Sequence, residues 1–570
     1  MKSALLASIR FRPKLVDSLR GYSRDDLRAD ISAGITVGVV ALPLAMAFGI
    51  ASGVKPEQGI FTAILGGFLV AALGGSKVQI GGPAGAFVVL LYSIVERYGL
   101  GGLLLSTMMA GVLLFAMGAL RLGNLIRFIP VSIVIGFTNG IAVIIALQQV
   151  KDFLGLDIPK MPANFFSQLS AIGGALDTVN WSALTLGIVS LAIVVLWPKS
   201  YQQNDARWRV WMANLPGTIV VLVLATLAVS VGGLQVETIG SRFGGIPQSL
   251  PPLQLPSLDW ETAQRLAIPT LSIALLGAIE SLLCARVADG MTEDRHDPNQ
   301  ELMAQGVANF AVPFFGGIAV TGTVARTVTN IRSGARTPIA GIVHCLTLLL
   351  IVLALAPLAS DIPLATLAAI LLSVAWNMGD WGEFARLRQF SINYRAVLLS
   401  TFLLTVVFDV TVGVQFGLVL AALMFIFRIS SLTRVEELML PAVHARTADG
   451  KHVAAYRVFG SLFFGSVTKL EQLLDPERAK ADILVLELHQ VINLDTTGLD
   501  ALQTLHRMLA RRGGRLVIAE ANEQPLSLMR RSGFLRELGP DSVFDDLQAA
   551  LATLSGASAV GTAAATDVPA

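Results

Sequence analysis

Arg326 is the residue of this sequence best suited to bind an anion inside a membrane. It lies in a glycine- and threonine-rich stretch, residues 315–338 (FGGIAVTGTVARTVTNIRSGARTP), which is too short and too interrupted to span a bilayer. An arginine at membrane depth is energetically costly, so it usually faces a cavity or a partner instead of lipid. Because the N–H groups at a helix start attract anions, a short helix that contains a cation predicts an anion site. In the alternative interpretation, Arg326 neutralises Glu280 or reaches the aqueous boundary.

A second short segment has a similar glycine- and alanine-rich start. Residues 81–86 (GGPAGA) open a segment predicted over 82–97, and residues 322–326 (GTVAR) open one predicted over 323–334. Irregular backbone at membrane depth is tolerated where it is buried in protein or lines a cavity. Transporters with inverted repeats place such broken helices in corresponding positions of their two halves. Two helix starts that face each other would direct two positive helix ends towards one anion.

The two starts together supply the predicted anion site. Its residues are Gly82, Pro83, Ala84, Gly85, Thr323, Val324, Ala325 and Arg326. Two alternatives stay open at this point: a chance similarity between glycine-rich segments, and helix packing through small residues.

Glu280 is the second candidate for chemistry, because it lies near the middle of an apolar segment predicted over 264–289. A carboxylate there is costly unless it is paired or protonated. Burial favours the neutral carboxyl and a nearby arginine favours the ionised one, so a group under both influences can exchange a proton as the site fills. Our hypothesis is that Glu280 takes up a coupling proton. The competing interpretation is a permanent ion pair between Glu280 and Arg326.

The composition indicates that most of the chain lies in lipid. Of its 570 residues 54% are hydrophobic and 14% are charged, with a mean hydropathy of +0.67, whereas soluble domains are about 25% charged. Apolar stretches of suitable length predict spanning helices. With the two short segments, fourteen are predicted: 31–52, 58–74, 82–97, 100–120, 126–148, 181–198, 212–232, 264–289, 300–316, 323–334, 338–358, 362–378, 393–410 and 412–430. Cys284 and Cys345 lie in apolar runs, and their spacing indicates neither a disulfide framework nor a metal site.

Basic residues set the predicted orientation. Seven lysines and arginines within residues 1–30 precede the first apolar run and indicate a cytoplasmic N-terminal segment with no cleavable signal peptide. An even number of spans returns the C-terminus to the cytoplasm. The basic loops at 199–209 and 386–395 agree with this orientation, which predicts a multi-pass protein of the bacterial inner membrane.

A soluble domain is predicted after the transmembrane domain, which we place at 31–434 with repeats at about 31–232 and 263–431. Residues 437–556 alternate short strands and amphipathic helices, as an α/β domain does. Residues 483–488 are typical of a buried strand, residues 493–500 (NLDTTGLD) form a turn into a helix, and 515–519 form the next strand. The tail, 557–570, is rich in small and polar residues and is predicted to be disordered.

These motifs resemble one family. ALPLAMA at 41–47, GP at 82–83, ESLL at 280–283, FGG at 315–317 and ART at 325–327 resemble the SulP anion transporters, and 437–556 resembles their C-terminal STAS domain. The runs KDFLGL at 151–156, GAIESLLC at 277–284 and AWNM at 375–378 are similar to the bacterial C4-dicarboxylic acid transporters of that family, called DauA. The resemblance implies seven-plus-seven inverted repeats, a core (transport) domain, a gate domain and a homodimer.

The resemblance also implies roles for individual residues. Phe48 corresponds to an aromatic residue that lines the family's substrate pocket. Sodium-coupled members have an aspartate followed one turn later by a hydroxyl; here these positions are Glu280 and Cys284, and a thiol is a poor ligand for a hard cation. This favours protons over Na⁺.

Departures from the family pattern bear on the substrate and on regulation. Leu44 replaces a common glutamine, Ala325 replaces a common serine, and Ala84 is small, which leaves room for an organic anion.

Thr496 and Thr497 occupy the turn in which bacterial regulators carry a phosphorylated serine, and we expect a capping role for them.

The resulting prediction is a secondary active transporter and not an enzyme, without cofactor, metal or nucleic-acid partner. The sequence contains no P-loop pattern, which argues against transport driven directly by ATP. Proton-coupled uptake of C4-dicarboxylates (succinate, fumarate, aspartate) by alternating access is favoured. Sulfate or bicarbonate transport, and an anion-binding membrane sensor that signals to a partner of the STAS domain, are the alternatives.

Overall fold

The computed structural model describes residues 11–124, 129–162, 164–197, 216–245, 253, 260–447, 449–471, 473 and 481–556. The chain divides into two compact units, Met1–Leu418 and Val419–Ala570. The predicted basic loop at 199–209 and the predicted tail at 557–570 lie outside the described residues.

The first unit is helical. In chain order its helices begin with α1 (Lys14–Ser18), α2 (Arg24–Ala51), α3 (Pro56–Phe61), α4 (Gly67–Leu73), α5 (Gly85–Ala119), α6 (Val131–Leu154), α7 (Phe165–Gly174), α8 (Trp181–Leu196), α9 (Gly217–Gly232), α10 (Ile239–Phe243), α11 (Trp260–Arg265), α12 (Ala267–Thr292) and α13 (Pro298–Ala311). They continue with α14 (Val324–Arg332), α15 (Ile339–Ala359), α16 (Leu364–Met378), α17 (Trp381–Ala385) and α18 (Ile392–Val407). The next helix, α19 (Val410–Leu432), contains the division between the two units after Leu418. Two short strands, β1 (Gly81–Gly82) and β2 (Thr321–Gly322), precede α5 and α14.

Each predicted spanning segment overlaps one of these helices. Six stretches of the described residues are helical, long and apolar enough to cross a membrane, and five further apolar helices are shorter. The long ones are α2, α3 with α4, α5, α6, α12 and α19.

The predicted division between the segments 82–97 and 100–120 is confirmed, because α5 consists of two helices that meet at a kink at Gly99, where φ is 70° and ψ is 180°. One predicted boundary was wrong. The segment 300–316 is not one α-helix, because α13 ends at Ala311 and a 3-10 turn, Val312–Phe315, follows it with a proline near its start. Proline lacks the N–H that would continue an α-helix.

Glycines allow the core helices to pack closely. A Cβ atom on Gly34 of α2 would lie 2.5 Å from the carbonyl oxygen of Ala340 in α15, and one on Gly111 of α5 would lie 2.7 Å from the carbonyl oxygen of Gly306 in α13. Helices α2, α5, α12, α13 and α15 pack on one another in this way, whereas α6, α8, α16 and α18 form a second group. Small residues at such interfaces are typical of membrane proteins. The two groups correspond to the expected core and gate.

The second unit contains a mixed sheet. Its strands are β3 (Arg434–Leu438), β4 (Val453–Leu462), β5 (Ile483–Glu487), β6 (Val491–Leu494), β7 (Arg515–Ala519) and β8 (Val543–Phe544), and its helices are α20 (Val467–Glu471), α21 (Thr496–Arg511), α22 (Glu523–Arg531), α23 (Phe534–Leu538) and α24 (Leu547–Ser555). The sheet order is β3-β4-β5-β7-β8, with β6 also paired to β4, and all pairs except β3-β4 are parallel. All five β5 side chains are buried, and because successive residues point to opposite faces they supply both hydrophobic clusters of this unit.

The expected cap of α21 was wrong. Asp495, and not Thr496 or Thr497, is the N-cap residue, because its Oδ1 accepts a hydrogen bond from the Gly498 N–H at 2.7 Å. The two threonines are instead the first two residues of the helix. Aspartate is among the preferred N-cap residues.

Candidate anion-binding site

Strands β1 and β2 bring the two broken segments together. They pair antiparallel, with Gly81 opposite Gly322 and Gly82 opposite Thr321. Helix α5 starts three residues after Gly82, and α14 starts three residues after Thr321. The pairing therefore places the two glycine-rich helix starts side by side, as the sequence predicted.

Side chains of α14 fasten it to the chain that leads into β1. The Thr323 N–H and hydroxyl both donate to the Ile80 carbonyl oxygen at 2.9 Å. The Ile80 N–H donates to the Thr327 hydroxyl at 2.9 Å, and the Asn330 side-chain amide donates to the Val78 carbonyl at 2.9 Å. Because these side chains are buried, the two helix starts are held as one rigid piece.

The first-turn amides of both helices are left without side-chain caps. The N-cap residue of α5 is Ala84, which has no polar side chain. The N-cap residue of α14 is Thr323, but its hydroxyl is committed to Ile80 and accepts no hydrogen bond from its own helix. Uncapped N–H groups at a helix start can be satisfied by a bound anion.

Arg326 lies behind these amides. Its side chain is 1% exposed, its Nη2 donates to the Pro83 carbonyl, and its Nη1 has no hydrogen-bond partner among the described residues. A Cβ atom on Gly82 would lie 2.6 Å from Nη1, so the guanidinium packs directly against that glycine. The ion pair with Glu280 that the sequence left open is absent, and no described carboxylate pairs with this arginine. Arg326 joins the two helix starts and adds a positive charge beside them.

The remaining predicted residues surround the same point. Val324 and Ala325 are exposed, whereas Ala84 is 8% exposed. A Cβ atom on Gly85 would lie 3.4 Å from Cε1 of Phe48 and 3.4 Å from Sδ of Met378, so α2, α5 and α16 meet at this glycine. Met378 was not predicted as a site residue, although the AWNM motif that contains it is visible in the sequence.

Glu280 lies on α12, close to α14. Glu280 is partly exposed and forms no hydrogen bond or ion pair with the described protein. One turn later, the Cys284 thiol donates to the Thr327 hydroxyl at 3.2 Å. The free carboxyl of Glu280 is thus one helical turn from Cys284, whose thiol contacts α14.

The sequence analysis missed a second carboxylate, Glu301, which is fully buried. Its Oε2 accepts from the Gly75 N–H at 2.9 Å, and its Oε1 accepts from the Ser281 hydroxyl and the Gln305 amide, each at 3.1 Å. Ser281 in turn accepts from Gln79 at 2.9 Å. Glu301 therefore links α13, the residue after Glu280 and the chain that leads into β1. The signal in the sequence that could have identified Glu301 is its position as an acidic residue near the start of the predicted apolar segment 300–316.

A metal site is not indicated in the described ranges, which contain no group of three His, Cys, Asp or Glu residues that could hold a metal ion. The two cysteines are buried and unpaired.

Comparison with known proteins identifies the family. The model of the sulfate permease family matches residues 27–401, and that of the STAS domain matches residues 445–550. The chain belongs to the sulfate permease family. This membership shows that it is a multi-pass membrane transport protein.

Individual relatives agree with this assignment. The putative sulfate transporter YvdB of Bacillus subtilis is 41% identical over 500 residues, which cover 87% of this chain and 92% of YvdB. The bicarbonate transporter BicA of Synechocystis is 30% identical over 514 residues, which cover 86% of this chain and 88% of BicA.

Solved structures confirm the fold class. The transmembrane domain of a cyanobacterial BicA is 32% identical with a TM-score of 0.62, over 69% of this chain and 98% of that domain. The structure of SLC26A9 has a TM-score of 0.84 at 17% identity, over 97% of this chain and 94% of SLC26A9. The predicted membrane fold with a C-terminal STAS domain is therefore correct.

Proposed function

We propose that this protein is a secondary transporter that takes up C4-dicarboxylates, such as succinate, fumarate and aspartate, together with protons by alternating access. The observation that carries the proposal is the pair of uncapped helix starts joined by β1 and β2, with Arg326 beside them. These starts are the predicted anion ligands, and Phe48 closes the site from α2.

The small apolar residues around the site favour an organic anion. Ala84, Val324 and Ala325 present methyl groups, and Phe48 presents a ring edge. A C4-dicarboxylate has apolar carbons between its carboxylates that such a surface accommodates. A tetrahedral oxyanion carries oxygen on every side and gains more from polar side chains, which Ala84 and Ala325 do not supply.

The charges near the site support proton coupling for a dianion. Each helix start contributes about half a positive charge, and Arg326 contributes one more, so roughly two positive charges face the anion. An ionised Glu280 cancels one of them. A dianion such as succinate or fumarate is then balanced only when Glu280 is protonated. We therefore assign the coupling proton to Glu280.

The contacts of α14 support movement of the site as a unit. Thr323, Thr327 and Asn330 fix both helix starts to one piece of backbone. We propose that this piece moves with the core helices past the gate helices, in a homodimer of the inner membrane with cytoplasmic termini. A cytoplasmic protein partner of the STAS domain belongs to the same proposal.

Uptake into proteoliposomes tests this function. Labelled succinate is expected to accumulate under an inward proton gradient and to stop accumulating when a protonophore is added. Fumarate, aspartate, sulfate and bicarbonate are added as competitors. Binding of succinate without flux contradicts transport and favours the sensor, and accumulation of sulfate but not succinate favours the activity named for YvdB.

The variant Glu280→Gln tests proton coupling separately from anion transport. The variant is expected to exchange internal for external succinate but to lose accumulation driven by the proton gradient. Glu293→Gln, the same chemical change at an exposed position just after α12, is the matched control. Undiminished proton-driven accumulation by Glu280→Gln would contradict the coupling role.

A further inference from the structure

Met378 is the residue through which the gate contacts the candidate anion site. It is the last residue of α16 and is partly buried. Apart from the chain around Gly85 itself, the described atoms nearest to a Cβ on Gly85 are Sδ of Met378 at 3.4 Å and Cε1 and Cζ of Phe48 at 3.4 and 3.5 Å. Phe48 lies on α2 of the core group, whereas α16 belongs to the gate group. Core and gate therefore meet at the start of α5, beside the uncapped amides.

The end of α16 is fixed to the gate. Asp380, two residues after Met378, donates its N–H to Oδ1 of Asn139 in α6 at 2.6 Å, and its carbonyl oxygen accepts from Nδ2 of Asn139 at 3.2 Å. Asn139 is fully buried. The Trp381 indole N–H donates to the Trp376 carbonyl at 2.9 Å, and the two rings stack with their centroids 5.5 Å apart. The backbone that carries Met378 is therefore held by the gate, whereas its unbranched thioether side chain is flexible.

The other residues of the site lie on core elements. Phe48 lies on α2, Ala84 precedes α5, and Val324 and Ala325 open α14. Hydrogen bonds between α14 and the chain that leads into β1 hold the two helix starts as one piece. When such a piece moves past the gate, the spaces within it stay the same and the clearance to the gate changes. The side chain that the gate directs at Gly85 therefore limits the size of the anion that can move with the site.

We propose that Met378 is a specificity-determining residue, which selects organic anions by the length of their carbon chain. An unbranched, polarizable thioether adapts to carbon chains of different shape, which suits succinate, fumarate and aspartate alike. A longer dicarboxylate has to displace this side chain from Gly85, and is therefore carried less well. The proposal rests on the proposed function in that the anion lies between the helix starts while the core moves past the gate.

Transport of adipate, which is two methylene groups longer than succinate, tests this role. The measured quantity is the ratio of Vmax/KM for adipate to Vmax/KM for succinate. Met378→Ala is expected to raise this ratio by at least about tenfold and Met378→Phe to lower it by a similar factor, since one methylene in an apolar pocket is discriminated by roughly 10- to 200-fold. Met378→Leu conserves the volume and is expected to change the ratio by less than about threefold.

The ratio is insensitive to a loss of folded protein, because such a loss lowers both rates together. Met291→Ala makes the same chemical change at an exposed residue near the end of α12 and is the matched control. Its ratio is expected to equal that of wild type. A wild-type ratio in both Met378→Ala and Met378→Phe overturns the proposal, and so does an equal change in Met291→Ala.

Equilibrium binding of labelled succinate and labelled adipate to the purified full-length protein separates this proposal from the proposed function. If the Met378 substitutions change the ratio of the two affinities in a protein that transports neither anion, the proposed function fails and the role of Met378 stands. If the protein transports succinate and the substitutions change neither ratio, only the role of Met378 fails. If wild type neither binds nor transports the two anions, both proposals fail.

The variant Met378→Cys tests whether the bound anion reaches this side chain. The new thiol is modified with methyl methanethiosulfonate, while Cys284 and Cys345 are buried. Saturating succinate is expected to slow the modification, because the anion fills the space beside Gly85. In the control variant Met291→Cys, succinate is expected to leave the rate unchanged. Equal rates with and without succinate in a Met378→Cys protein that binds succinate overturn the proposal.

Discussion

Gly82→Ala should displace the Arg326 guanidinium from its place between the helix starts. The new Cβ would lie 2.6 Å from Nη1 and 3.2 Å from both Cζ and Nη2. The end of an arginine is usually flexible, but this one is 1% exposed and its Nη2 is bound to the Pro83 carbonyl. Since carbon contacts are normally about 3.5 Å or more, the guanidinium or β1 has to shift by roughly 1 Å.

The energetic cost has two parts. Gly82 has a φ of 153°, which a residue with a side chain rarely adopts, and an unfavourable φ costs about 1–2 kcal/mol. Overpacking of a filled interior adds about 1–3 kcal/mol. The variant should therefore be destabilised by about 2–5 kcal/mol, and a displacement of about 1 Å at the anion site should lower Vmax/KM by at least about tenfold.

Thermal unfolding of the purified protein and succinate uptake measure these two effects. Gly101→Ala is the matched control, because a Cβ there meets no atom within 4 Å. In an Arg326→Gln background the cost of Gly82→Ala should shrink, since the shorter side chain leaves room for the new methyl group. A Gly82→Ala protein with wild-type Tm and wild-type Vmax/KM would refute the described packing of Arg326.

Two further predictions concern regions outside the anion site. Asp495→Ala removes the N-cap of α21 and should destabilise its first turn by about 1 kcal/mol. The measurement is hydrogen exchange, which should be faster for the first-turn amides of this variant. In the control variant Asp495→Asn the same amides should exchange almost as slowly as in wild type. Burial acts to raise the pKa of Asp294, but a backbone hydrogen bond from Arg295 and the charges of Lys14 and Lys77 outweigh it and hold the pKa below its usual range. A lowered pKa stabilises the folded state at pH values above about 4, and this contribution is lost as the pH falls further. Asp294→Asn should therefore lower Tm at neutral pH, with a difference that shrinks in acid; an equal difference at every pH would contradict this.

The broken helices could be predicted because their signals are local. Glycine runs at 81–82 and 316–317 interrupt apolar segments, and a lone arginine in such a segment is visible without any tertiary information. The STAS strands β5 and β7 were predicted for the same reason, since each is a short apolar run next to turn residues.

The direction of the Arg326 side chain could not be predicted. It depends on the register between β1 and β2, which sets Gly82 opposite Thr321 and so places the Pro83 carbonyl within reach. The sequence suggested a guanidinium that contacts the anion or Glu280, whereas the hydrogen bond that it forms among the described residues is to the backbone of the other helix start. Register between segments so far apart in the chain leaves no local pattern.

Glu301 was missed for a similar reason. Its hydrogen-bond donors come from Gly75, Ser281 and Gln305, which belong to three separate stretches of the chain. Only the folded arrangement shows that this carboxylate is satisfied while Glu280 is left free. This difference between the two residues is a further argument for assigning the proton to Glu280.

A structure determined with a saturating, electron-dense dicarboxylate such as bromosuccinate tests the central claim most directly. The predicted result is ligand density between the two helix starts, with a carboxylate within about 3 Å of first-turn N–H groups of both α5 and α14. Ligand density elsewhere, with these amides left unoccupied in a protein that transports the same anion, would contradict the account.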